Sequence, residues 1–389
     1  MSDISKKTFI WAIIGLIVLR IILMILVMNN IPDTGMRDGG FRPTFTESYQ
    51  PDEFQFFELS KNLAKGQTIK LVPNIGAPLV FAPLIYFSGV DSLDKLAPIV
   101  FIFQTFILFS LAIILVAFIG YYLFNSRTLA LASASLFVIY PWLLLGIFKF
   151  IGYDNAIAAF HYQLWIFTLS DYLSAFWVYL SFLVMFGFFN RIFREPKIEL
   201  KWMAILVALS GFALLTRISN VWLILIILGI FLSFGRIKKA LIYSTFLFIA
   251  YLPQLIFNLA AFGKIAGYGY YDKNLVPSAP QEWFSLSNFW INFSHFSPRH
   301  YFLWFLFSIV ALFLVSFFGF KYLKKINIVF SAITLFWFLT YMLFYWLFDI
   351  GLSQLRYFLP AIPAFISLFV AAVIYLAGKI NQKNSQDYV

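Results

Sequence analysis

IWAIIGLIVLRIILMILVM, residues Ile10–Met28, carries a single charge, Arg20. An apolar helix of this length crosses the ~30 Å of hydrocarbon in a bilayer. Asn29-Asn30-Ile31-Pro32 follows without a small-residue cleavage pattern, so the run reads as an uncleaved first span rather than a removed signal. The rest of the chain agrees. Its hydrophobic fraction is 62% and its charged fraction 12%, with 51 Phe in 389 residues, and the mean hydropathy is +0.87. A soluble domain carries about 25% charged residues, so this composition belongs in a membrane. No Cys is present, which excludes disulfides and thiolate metal sites.

Working outward from the first run, about ten apolar segments appear, near 9–28, 97–124, 128–148, 172–190, 202–216, 219–234, 239–262, 300–320, 326–348 and 357–377. The expected fold is an all-α polytopic membrane protein, one transmembrane domain over 1–389 with no separate soluble domain. The short segments on either side of Thr216-Arg217-Ile218 read as a helical hairpin. With the N-terminus inside, the inner segments hold 15 of the 28 basic residues but only Asp3, Glu195, Glu199 and Asp387 among the acids. Lys and Arg are retained on the cytoplasmic side, so both termini are expected there. The net charge of +11 is then a topology signal, and nucleic-acid binding is not implied. Two long polar stretches, 29–96 and 263–299, fall outside. The Ile/Lys/Phe/Asn bias points to an AT-rich prokaryotic genome and hence to a plasma membrane.

The first outer stretch contains Pro51-Asp52-Glu53, followed by an amphipathic segment to Lys65-Gly66. Helical spacing places Phe54, Phe57 and Ala64 on one face, with Phe56 and Leu63 at its border, as in a helix lying flat on the membrane surface. Asp52 at the N-cap with Gln55 three residues later resembles a capping box, and Gly66 is a natural stop. Two readings of Asp52 follow. It is a helix cap, or it is a carboxylate kept ionised by the helix dipole, able to accept a proton or ligate a divalent cation. Glu53 points about 100° away and would do a different job.

P-D-E followed by an aromatic helix ending N-L-A-x-G resembles the integral-membrane GT-C glycosyltransferases, in particular the protein O-mannosyltransferase and aminoarabinose (lipid A) transferase group. Ala77-Pro78-Leu79 is similar to that family's P-P-L stretch, although its usual Lys and first Pro are replaced within Asn74–Ala77. Ser170-Asp171 resembles its second acidic position, Leu214-Leu215-Thr216-Arg217 its L-T-R/K turn, and Arg356-Tyr357-Phe358-Leu359-Pro360 its R-Y-x-L-P motif. These short pieces span most of residues 45–370. The C-terminal soluble domain of larger members is absent. The resemblance implies inverting transfer of a sugar from a polyprenyl-phosphate donor to a glycan, lipid or protein acceptor outside the cytoplasm. It makes Asp52 the general base, with Glu53 and Asp171 as further catalytic acids. Arg217 and Arg356 would grip the donor phosphate, which leaves as an anion and needs positive charge more than an acid.

Each of these has a plainer reading. Ser170 or Asp171 could cap the fourth span, and Arg217 or Arg356 could be a snorkelling interfacial anchor. Arg20, costly within a span, is expected to face the bundle interior. His161, His295 and His300 fall near the outer side, where packing competes with a metal role. Asp52, Asp171 and His161 are the candidates for a divalent ion such as Mg or Mn. Tyr268, Tyr270, Tyr271 and Trp283 could stack on sugar rings or form an aromatic belt. The rival functions are a transporter or flippase of lipid-linked glycans, and a polysaccharide polymerase or ligase. Transporters favour broken helices near the midplane, whereas here the polar residues gather at the outer surface.

Overall fold

The computed structural model describes residues 3–30, 51–71, 74–150, 152, 156–167, 169–265, 300–346 and 352–386. Among them the chain is helical and contains no strand. The helices are α1 (Lys6–Asn30), α2 (Pro51–Ala64), α3 (Gly76–Ser88), α4 (Leu93–Phe101), α5 (Phe109–Phe124), α6 (Arg127–Phe150), α7 (Ala156–Gln163), α8 (Ser170–Gly187), α9 (Leu200–Thr216), α10 (Val221–Ser233) and α11 (Ile237–Phe262). They continue as α12 (His300–Ile326), α13 (Ile328–Trp346) and α14 (Ile362–Gln386). A wide π-helical turn, Ile102–Leu108, joins α4 to α5, and another, Asn190–Arg194, follows α8. Helical turns of 3-10 type cover Ile218–Asn220 and Leu352–Ala361.

Among the described residues, six helical stretches are long and apolar enough to cross a membrane: Lys6–Val27, Leu93–Phe124, Arg127–Phe150, Ser170–Gly187, Ile237–Phe262 and Arg356–Ile380. The shorter apolar helices include Leu200–Thr216, Ile218–Ser233 and Ile328–Phe344. In hydrocarbon a helix satisfies its own backbone, which is why apolar composition alone drives these elements. Their surroundings differ. Only 22% of the apolar window of α1 is buried against protein, compared with 72% for α8. The first has the surface of a lipid-facing helix; the second is an interior one.

The described chain falls into two compact units. Unit 1 comprises 1–18, 112–160 and 286–389. Within it α12 packs along α14, and α14 also meets α6 and α13. A Cβ on Gly319 of α12 would collide with the Leu368 carbonyl of α14, so glycine permits the close crossing. Trp337 of α13 donates its indole N–H to the Pro360 carbonyl at 2.8 Å, tying the Leu352–Ala361 turn to the helices. Asp3 accepts from the backbone N–H groups of Arg127 (2.8 Å) and Thr128 (3.1 Å), so the N-terminal segment caps α6.

Unit 2 comprises 19–111 and 161–285. Here α8 and α9 lie together, α9 packs on α11, and α3 bridges α2 to both α8 and α9. Leu59 (α2), Ile75, Leu215 (α9) and Phe257 (α11) form a buried hydrophobic cluster, with Leu63 and Leu71 packed against it. Arg217, with extended backbone (φ −149°, ψ 131°), ends α9 and separates it from α10. The expected break at Thr216-Arg217-Ile218 is therefore present.

Candidate active site

The buried face of α2 differs from the one the spacing suggested. Phe54 is 53% exposed, whereas Glu53, Phe56, Phe57 and Ser60 are buried. These follow an i, i+3, i+4, i+7 pattern against α3, so α2 packs on protein through this face. Glu53 thus heads the inward face, with 1% exposure. Asp52 is the second residue of the helix rather than its N-cap, since Pro51 already has helical geometry and suits the first position. It remains in the first turn, where the dipole favours a carboxylate. The Asp52 side chain lies outside the described residues. The stop at Gly66 is as expected: its φ is 69°, and Gln67 N–H donates to the Asn62 carbonyl at 2.8 Å.

From α2 the chain runs to Asn74-Ile75-Gly76-Ala77-Pro78, which docks on the end of α9. A Cβ on Gly76 would fall on the backbone of Leu215 and Thr216. Ile75 N–H donates to Gln254 Oε1 of α11 at 3.0 Å, and Gln254 Nε2 donates to Asn258 Oδ1 at 2.8 Å. The segment before Pro78 and the Thr216-Arg217 turn, distant in sequence, are thus in direct backbone contact.

Arg217 then forms an ion pair with Asp171, the second residue of α8. The aspartate side chain is 4% exposed and the arginine side chain 19%, so the pair is buried on the acid's side and partly open on the arginine's. Asn220 reinforces the joint: its Nδ2 donates to Ser174 Oγ (2.8 Å) and to the Ala213 carbonyl (2.7 Å). Leu169 holds the N-cap position of α8 without a side-chain bond, and Ser170 and Asp171 are the first two residues of the helix.

Arg20 finds its place in the same unit. Its Nη2 donates to the Leu164 carbonyl at 2.8 Å, and its guanidinium lies 4.0 Å from the centre of the Phe109 ring. Thr105 Oγ1 donates to the Trp165 carbonyl (2.8 Å), and Gln104 Nε2 to the Leu169 carbonyl (3.1 Å). Three donors from α1 and the π-helical turn therefore hold the carbonyls of the segment leading into Asp171. Trp165 sits within it at φ 63°, a conformation costing a non-glycine residue about 1–2 kcal/mol. Fixed carbonyls on both sides of Trp165 hold that strain in place. Sequence reasoning singled out Arg20 but missed Gln104, Thr105 and Asn220. Each is a polar residue in or beside an apolar run, the one signal that could have found them.

His161, at the end of α7, is buried, and burial pushes its imidazole down to about 4. It is neutral at physiological pH. Among the described residues no three His, Asp or Glu side chains gather as a metal-ligand set. Asp171, already neutralised by a guanidinium, does not fit the part of a hard-cation ligand.

Arg356 belongs to unit 1, on the 3-10 turn. It is 3% exposed, its Nη2 lies 3.2 Å from the Tyr357 hydroxyl, and its guanidinium stacks 5.0 Å from that ring. A snorkelling anchor keeps its charge in water, so that reading does not hold. Tyr268, Tyr270, Tyr271, Trp283 and His295 lie outside the described residues, as does the side chain of His300.

Compared with known protein families, characterised proteins and solved structures, the chain matches none. The functional reading therefore rests on its own residues.

Proposed function

We propose that this chain is a membrane glycosyltransferase that moves a sugar from a polyprenyl-phosphate donor to an acceptor on the extracytoplasmic side of a plasma membrane. The observation that carries the reading is the assembly in unit 2. The helix bearing Asp52 and Glu53 packs on α3, α3 docks through Gly76 onto Thr216, and Arg217 pairs with Asp171. Four short motifs far apart in sequence thus meet in one unit.

In the proposed reaction Asp52 accepts the proton of the acceptor hydroxyl as its oxygen attacks the anomeric carbon. The bond from that carbon to the phosphate oxygen breaks, and its electron pair departs with the lipid phosphate. Inversion follows from single displacement. Arg217, held by Asp171 but exposed along one edge, stabilises the departing anion. Asp171 orients that guanidinium. In this scheme the ten apolar segments would all span the bilayer with both termini inside.

The test is incubation of the purified, reconstituted protein with a panel of polyprenyl-phosphate sugars, following sugar release and transfer. Release that depends on Asp52 is the expected outcome; movement of the intact lipid-linked sugar across the bilayer without cleavage would instead mark a flippase.

A further inference from the structure

At the end of unit 2 that carries the π-helical turn Asn190–Arg194, the sequence concentrates charge. Residues 190–201 and 236–239 hold seven basic side chains against Glu195 and Glu199. The structure brings the two stretches together. Lys239 Nζ donates to the carbonyls of Arg191 (3.2 Å) and Ile192 (2.8 Å), and Arg236 donates to the Arg194 carbonyl. Arg236 and Lys239 are thereby spent on carbonyls at the end of the π-helical turn, as cations at a helix C-terminus often are. The remaining five, Arg191, Arg194, Lys197, Lys201 and Lys238, are exposed. None of them forms an ion pair among the described residues, although Glu195 and Glu199 lie within the same stretch.

The surroundings say what such a cluster faces. Leu200, Ile237 and Leu241 beside it are each more than 60% exposed, which is the surface of helices meeting acyl chains. Trp202 stacks on Phe188 with 3.4 Å between ring centres, and Lys201 lies 5.3 Å over the indole. Arg194 sits 5.6 Å and 5.7 Å from the rings of Phe189 and Phe234. Aromatic rings with cations at their rim, bordering an apolar belt, mark the headgroup level of a bilayer.

We propose that this cluster is a binding site for anionic phospholipid headgroups. Cations near an anionic surface are attracted to it, and Arg presents a fork suited to phosphate. The exposed apolar residues alongside would take the acyl chains, which favours a lipid over a free phosphate. The inference rests on membrane embedding alone and is independent of glycosyl transfer.

The experiment is native mass spectrometry of the full chain released from mixed phosphatidylglycerol and phosphatidylcholine vesicles, counting retained lipids. About tenfold enrichment of phosphatidylglycerol is expected, falling to near parity at high salt. Replacing all five cations (R191Q, R194Q, K197Q, K201Q and K238Q together) should remove the enrichment. Glu195→Gln with Glu199→Gln should increase it, and this pair keeps the idea testable if the fivefold variant does not fold. Equal retention of both lipids by the native chain would overturn the proposal. So would enrichment unaffected by the charge variants, or abolished equally by soluble glycerol phosphate.

Discussion

Asp171 and Arg217 form the buried ion pair on which the proposed chemistry turns, and substitution can separate their contributions. Removing one partner of a buried pair leaves the other charge uncompensated, at a cost of about 3–5 kcal/mol. The partly open guanidinium places this pair at the low end. We expect Arg217→Gln to lower stability by about 3 kcal/mol. Adding Asp171→Asn should restore most of that, because no charge is left stranded, while transfer stays lost. Thermal unfolding of the two variants checks this; equal stability of both would show that the pair does not carry the joint. His161 offers a pH test. Its folded value of about 4 lies below the ordinary 6.5, so the unfolded chain takes up the proton first as pH falls. Stability is then full above pH 6.5 and is lost progressively toward pH 4, by about 3 kcal/mol. His161→Gln should flatten that portion of the pH–stability curve. Legibility at this scale was uneven. Asp52, Asp171, Arg217 and Arg356 were singled out because charge is rare in an apolar chain. The partners were hidden, since a salt bridge across 46 residues leaves no local pattern.

The elements came through more clearly than their faces. Each apolar run is helical and most keep near their expected bounds, though the last, expected near 357–377, starts in the 3-10 turn Leu352–Ala361 and continues to Gln386. Hydrocarbon leaves the backbone no other way to satisfy its N–H and C=O groups. The inward face of α2 was misjudged for a physical reason. A surface helix flanked by lipid and protein has two apolar sides, and Phe54 and Phe57 were counted as one. The π-helical turn at Ile102–Leu108, which aims Gln104 and Thr105 at the 164–169 segment, has no sequence signature. Gly76 shows the opposite case, a single residue dictating how two elements meet. Gly76→Ala would push α3 off the Leu215–Thr216 backbone, an overpacking cost of about 1–3 kcal/mol. Activity should fall further than stability, since the shift moves α2 and Arg217 apart. Unchanged kinetics in a variant of lowered melting temperature would disconnect α3 from the site.

For the molecule as a whole, composition points to helices long and apolar enough to cross a bilayer, which the structure contains, and charge asymmetry suggests an orientation. The division into two units was not legible. Membrane helices are apolar all round, so periodicity does not say which neighbour each face meets. The proposed function depends on one carboxylate at the head of α2, in the unit that also contains the Asp171–Arg217 pair. The direct test is the rate of sugar transfer from a polyprenyl-phosphate donor by Asp52→Asn, in protein shown to be folded by its melting temperature. Loss of a general base predicts a fall of about 10²- to 10⁴-fold with donor binding retained. Transfer at the native rate in that variant would contradict the account.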